Sequence, residues 1–147
     1  MSTVERSDDM EMEMEMENEN AAERRESATG LDSNLAGALT YLFGFVTGII
    51  FLLIEKEDAF VRWHAAQSIA VFGGLVALNV GLTVVGIVLG LALDGVLGGL
   101  VGLVLSLVGL VVGLAGLVAW LGLMVTAYQG RTVRVPVFAG LADRIAG

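Results

Sequence analysis

A chain of 147 residues that is 56 % hydrophobic and only 16 % charged cannot cover a soluble domain, whose surface takes roughly 25 % charged residues. With 20 glycines and no cysteine, it has no disulfides, no thiolate nucleophile and none of the common zinc sites. The net charge of −8 lies within the first 33 residues, and the rest of the chain is neutral overall, so no basic stripe exists to bind nucleic acid.

The tail comes first. "EMEMEMENEN" alternates with period two, but a row of glutamates on a lone strand would repel itself. Residues 1–32 therefore read as disordered, acidic and low in complexity. They lack the basic and short apolar regions of a secretory signal, so the tail is expected to be retained.

Residues 34–54, "NLAGALTYLFGFVTGIIFLLI", carry no charge in 21 positions. At 1.5 Å per residue a helix of this length spans about 30 Å, the hydrocarbon thickness of a bilayer. Asp32 and Ser33 supply an N-cap. Glu55, Lys56, Glu57 and Asp58 end the span, since each charge at mid-bilayer would cost at least ~2.5 kcal/mol.

The run 65–127 is long enough for two or three crossings and holds one ionisable residue, Asp94. Splitting it at Asp94-Gly95 predicts helices near 66–92 and 99–127, hence an all-α integral membrane bundle of three transmembrane helices. A fourth helix would need a turn among Gly86, Ile87, Val88 and Gly90, where no polar residue marks one. Beyond Tyr128, Gly130 and Pro136 stop the helix. Phe138, Leu141 and Ile145 then repeat at helical spacing, as in a short amphipathic helix of the 131–147 tail lying on the membrane.

Three crossings put Lys56, Arg62, Arg131, Arg134 and Arg144 on one side and Arg24 and Arg25 on the other. The positive-inside bias then places the loop 55–65 and the C-terminus in the cytoplasm, and the acidic tail outside the cell membrane. Small residues are the expected packing surfaces: Gly37, Gly44 and Gly48 in the first span, and Gly98, Gly102, Gly109 and Gly113 in the last.

The only histidine stands at the doorway of the long apolar run. His64, Gln67 and Ser68 share a helical face with Arg62 and Trp63 beside them, making a candidate interaction patch. One reading turns it into the bundle, able to bind a head group, a peptide or a proton. The other leaves it among lipid head groups.

"YLFGFVTGIIFLLIEKEDAFVRWHAAQSI" resembles the signature of a small, uncharacterised family of archaeal and bacterial membrane proteins. The matching positions run from Tyr41, Leu42, Thr47 and Gly48 through Glu55, Lys56 and Glu57 to Arg62, Trp63, His64, Ala65, Gln67 and Ser68. Ala127, Tyr128, Gly130, Pro136, Gly140 and Ala142 close the pattern. By distant analogy the resemblance implies a role related to the import component of the chloroplast inner envelope (Tic-twenty-like). The acidic tail is not part of the pattern.

No paired intramembrane carboxylates, no serine with a base and no phosphate-cradling loop are present, which argues against an enzyme and against bound cofactors or metals. The expected function is binding: a membrane protein with the lipid bilayer, and with copies of itself or subunits of a complex, as partners. A transporter or channel is the alternative, with Asp94 and His64 as its ionisable groups.

Overall fold

The computed structural model describes residues 3–23 and 26–147, and among the described residues helices joined by turns and loops are the only regular elements, with one isolated bridge between Glu26 and Asp32. The tail differs from the expectation of disorder. It forms α1, Thr3–Glu23, because glutamate, methionine and alanine are strong helix formers. The same alternation distributes Glu and Met around the whole helix, so no apolar stripe arises, and its described side chains are exposed.

The first apolar run is not one transmembrane helix. Asp32 caps α2, Ser33–Leu39, by accepting from the Asn34 amide at 2.9 Å. The helix stops at Thr40, and the chain turns through Gly44, whose φ of +60° is costly for any residue with a Cβ. Phe45–Ile54 then forms α3.

Contacts fix the direction of each piece against α4, Ala59–Ser68, and the π-helical turn Ile69–Gly73 that follows it. Gly37 faces Phe60 and His64, and the Tyr41 ring meets Phe72, so α2 climbs alongside α4. Gly48 then faces Ala65, and the Leu52 carbonyl reaches Arg62, so α3 descends again. The run goes in and comes back. At about 15 Å, the ten residues of α3 cover half of a bilayer's hydrocarbon.

Two helices are long and apolar enough to cross a membrane: Ala59–Ala92, made of α4, the π turn and α5 (Gly74–Ala92), and α6, Gly95–Tyr128. Both begin earlier than the spacing suggested, and the second takes in Gly98 and Gly99. They form an antiparallel hairpin, turned by Leu93, Asp94 and Gly95 at φ +66°. Helix α5 has no buried residue, while Val80, Ile87, Leu91, Val96 and Val111 are among the exposed apolar side chains. An apolar exterior of this kind suits lipid rather than water.

Each long helix has 34 residues, about 51 Å, some 20 Å more than the hydrocarbon is thick. The surplus lies at the end away from Asp94. There α2, α3 and α7, Ala139–Ala146, pack on the long helices, and Ala38, Tyr41, Val71, Leu123 and Ala127 form a small core. The apolar face of α7 is covered by protein rather than by lipid: Ala142 is buried against Ala66 and Ala70, with Phe138 and Ile145 alongside.

Residues 28–33, the loop 55–58 and the C-terminal segment thus meet at one end of the molecule. Glu55 accepts the Ala28 amide, the Ser33 hydroxyl donates to Asp58, and Arg62 donates to the Ala146 carbonyl.

A methyl group separates the glycines by role. A Cβ on Gly48 would lie 2.8 Å from the Ala65 carbonyl, and one on Gly44 would strain the turn, whereas one on Gly113 would meet nothing. Gly44→Ala and Gly48→Ala should each cost about 1–3 kcal/mol, while Gly113→Ala leaves stability unchanged. Unfolding in a denaturing-detergent titration measures this, and equal midpoints for all three would contradict it.

Candidate functional site

The break in the first run frees backbone carbonyls in an apolar setting, and side-chain donors take them. The Thr47 hydroxyl donates to Thr40 O at 2.9 Å, the Trp120 indole to Tyr41 O at 2.7 Å, and the Ser68 hydroxyl to Gly44 O at 2.8 Å. Non-helical backbone at membrane depth requires such partners, because lipid supplies none.

Beside this turn lies the patch at the start of the long helix. His64, Gln67 and Ser68 are fully buried. His64 Nδ1 lies 2.9 Å from the Tyr41 hydroxyl, which donates to Gln67 Oε1 at 2.7 Å. Gln67 Nε2 donates to the Val133 carbonyl at 2.7 Å. The face therefore points into the protein and not toward head groups, joining the turn after α2, α4 and the C-terminal segment.

Arg62 and Trp63 flank it. The Arg62 guanidinium donates to Glu55 O at 2.7 Å, a carbonyl just beyond the end of α3, and to Ala146 O at 2.9 Å. Trp63 Nε1 donates to Asp143 Oδ1 at 3.1 Å, and Asp143 pairs with Arg134, which sits 5.7 Å above the Trp63 ring. Both partners of that ion pair are about half exposed, so the pair adds little stability. The Trp63 hydrogen bond, helped by Arg134, holds the Asp143 carboxyl below the ordinary range.

Glu55, read from the sequence only as one of the charges that end the first apolar run, is 1 % exposed. Its carboxylate accepts backbone hydrogen bonds from Asp58 at 3.0 Å, from Glu57 at 3.1 Å and from Ala28. Burial works to raise its pKa, but these amides outweigh that and hold it below the usual value. Tyr41, Thr47 and Trp120 were likewise invisible as donors and acceptors; a tyrosine and a tryptophan deep inside apolar runs were the only sign of them.

The glycines divide. Gly37 and Gly48 bring α2 and α3 against α4, and Gly44 makes the turn. Gly98 abuts the Leu93 carbonyl, and Gly109 faces the Asn79 side chain. Gly102 and Gly113 pack against nothing in this chain and line two grooves of the hairpin. One groove, of about 430 Å³, is lined by Asn79, Thr83, Gly102, Ser106 and Gly109. The other, of about 590 Å³, is apolar and runs past Phe43, Phe72, Leu75 and Trp120. Among the described residues no group of acids and histidines is arranged to hold a metal.

The chain is 39 % identical over 119 residues to a UPF0132 membrane protein of Methanocaldococcus jannaschii, covering 81 % of this chain and 93 % of the relative. The chain belongs to the UPF0132 membrane protein family. A second member from the same organism is 35 % identical over 82 % of this chain and 74 % of its own length. One from Archaeoglobus fulgidus is 36 % identical over 80 % and 98 %. No family model and no solved structure matches the chain. The UPF0132 relatives are named as membrane proteins, and none of the names carries an enzyme activity or a chloroplast-import role. This is an archaeal-type membrane protein of an uncharacterised family, with apolar helices long enough to span a bilayer.

Since the Glu55 carboxyl titrates below its unfolded value of about 4.3, its contribution is complete above that pH and is lost as pH falls through the folded value. Glu55→Gln should cost about 2 kcal/mol at pH 7, and the gap to the parent should close in stronger acid. Denaturing-detergent titrations at pH 7 and pH 3 test this, and a gap that widens in acid would reverse the sign. Trp120→Phe, which leaves the Tyr41 carbonyl with the Gly44 amide as its one donor, should lose about 1 kcal/mol by the same assay.

Proposed function

We propose that this UPF0132 member crosses the membrane twice and works by binding other transmembrane helices, as an oligomer or as a subunit of a membrane complex. The observation that carries this reading is the 430 Å³ groove on the α5–α6 hairpin, where Asn79, Thr83 and Ser106 line a surface opened by Gly102. Asn79 makes one side-chain hydrogen bond, to Leu75 O, out of the four a carboxamide can make. Polar side chains amid lipid-facing helices find their remaining partners on another helix.

Two crossings change the orientation. The end of the acidic tail, the loop 55–58 and the C-terminus then share a side with Lys56, Arg62, Arg131, Arg134 and Arg144, and only Asp94 faces across. That side is cytoplasmic by the positive-inside bias, and the acidic tail is cytoplasmic with it. Transport draws less support, because Asp94 sits exposed at the hairpin tip and His64 lines neither groove.

Reporter fusions at the two termini should both report the cytoplasm; termini on opposite sides would sink the two-crossing topology. Crosslinking in native membranes should capture helix partners, and Asn79→Val should cut the yield about fivefold, the equivalent of one interhelical polar contact of ~1 kcal/mol. Unchanged yield, or recovery of monomer alone from the parent, would count against binding through this groove.

A further inference from the structure

The side chains beneath the C-terminal segment form one chain of hydrogen bonds whose hydrogens can be counted. It runs from His64, whose ring lies beside the Arg131 backbone, through Tyr41 and Gln67 to the Val133 carbonyl. With a bond from the ring to the Arg131 carbonyl added, both ends would only accept and four links would need four hydrogens. Gln67 puts its nitrogen on Val133 O, which turns its oxygen to Tyr41, and the single tyrosine hydrogen goes there. His64 Nδ1 must then carry the hydrogen that meets the Tyr41 oxygen at 2.9 Å. A neutral imidazole has no second hydrogen. His64 Nε2 is thus a bare acceptor set against a carbonyl, and it is the buried side-chain atom left without a hydrogen-bond partner among the described residues. Any neutral arrangement of the chain is one hydrogen short.

Charging the ring would supply that hydrogen but would bury a cation with no counter-charge. The ring is enclosed by Tyr41 in the turn after α2 and by Phe60 and Trp63 on α4, with centroids 5.7, 4.4 and 5.3 Å away. Gly37 lies above it, and the Arg131 backbone closes the remaining side. The charged groups of the surrounding elements are engaged elsewhere: Arg62 on the Glu55 and Ala146 carbonyls, Arg134 and Asp143 on each other. One unmet buried acceptor costs less than one unpaired buried charge, so the closed arrangement favours the neutral ring and stays incompletely bonded.

We propose that His64 is a proton-operated catch for the C-terminal segment 131–147: the segment lies closed over the neutral ring, and binding of a proton there releases it. Once Arg131 and Val133 lift away, water hydrates the imidazolium and Gln67 together. The Asp143 carboxyl, which also holds the segment, is kept below ordinary carboxylate values by Trp63 and Arg134.

The test uses the full chain in phospholipid vesicles, with spin labels at Lys56 and Val137, both exposed and away from the network. Between pH 7.5 and 5 the population with the longer distance should grow, approaching about tenfold per pH unit below about 6.5. Because His64 is the sole histidine, nitrogen NMR of histidine-labelled protein reads its state directly. At pH 7.5 it should show a neutral ring protonated at Nδ1. His64→Gln should remain closed at every pH, and Asp143→Asn should respond as the parent does. A distance that ignores pH, a charged ring beneath a closed segment, or an Asp143→Asn variant that no longer responds would each overturn the proposal. Should His64→Gln fail to fold, the parent alone decides, since its ring signal and its distance must titrate together.

Discussion

The structure depends on how a chain can stop being helical where no water is available. A transmembrane helix satisfies its own backbone, and a break within it strands carbonyls that cost several kcal/mol apiece in hydrocarbon. Here the break at Thr40–Gly44 is lined by donors: Thr47 takes the Thr40 carbonyl, and Trp120 and Ser68 add a second bond to the Tyr41 and Gly44 carbonyls, which also accept the Gly44 and Gly48 amides. These donors come from three different helices, so satisfying the turn also assembles the packed end of the molecule. Tyr41, set in place by its own carbonyl on Trp120, then holds His64 and Gln67, and Gln67 holds the C-terminal segment.

The helical class and the membrane setting were legible in composition and in the length of uncharged runs, because both follow from what lipid permits. The folding-back of residues 34–54 was not. Its length matched a bilayer, and Gly44 looked like any other glycine of a packing stripe. What marks it is a positive φ and a tryptophan donor 79 positions away, neither of which a local pattern can carry. The tail failed for a different reason: alternation of Glu and Met was read for its period, when the helix propensity of both residues decides the local structure.

The patch shows the same limit. Spacing put His64, Gln67 and Ser68 on one face, and they do share one. Spacing could not say that the face would be consumed by Tyr41, Gly44 and Val133, since those partners come from the turn and from the chain beyond the last long helix. Glycine patterns are ambiguous in the same way. Gly48 and Gly98 are occupied by the fold, whereas Gly102 and Gly113 look identical in sequence and face open grooves.

The hairpin turn also bears on how such a chain enters a bilayer. Between α5 and α6 stand only Leu93 and Asp94, so the turn of the hairpin holds a single ionisable side chain. Two long greasy helices joined so briefly can slip in together as one unit, with no soluble loop to be pulled through. The folded-back pair takes one partner from each arm of that hairpin, Ser68 from the first and Trp120 from the second.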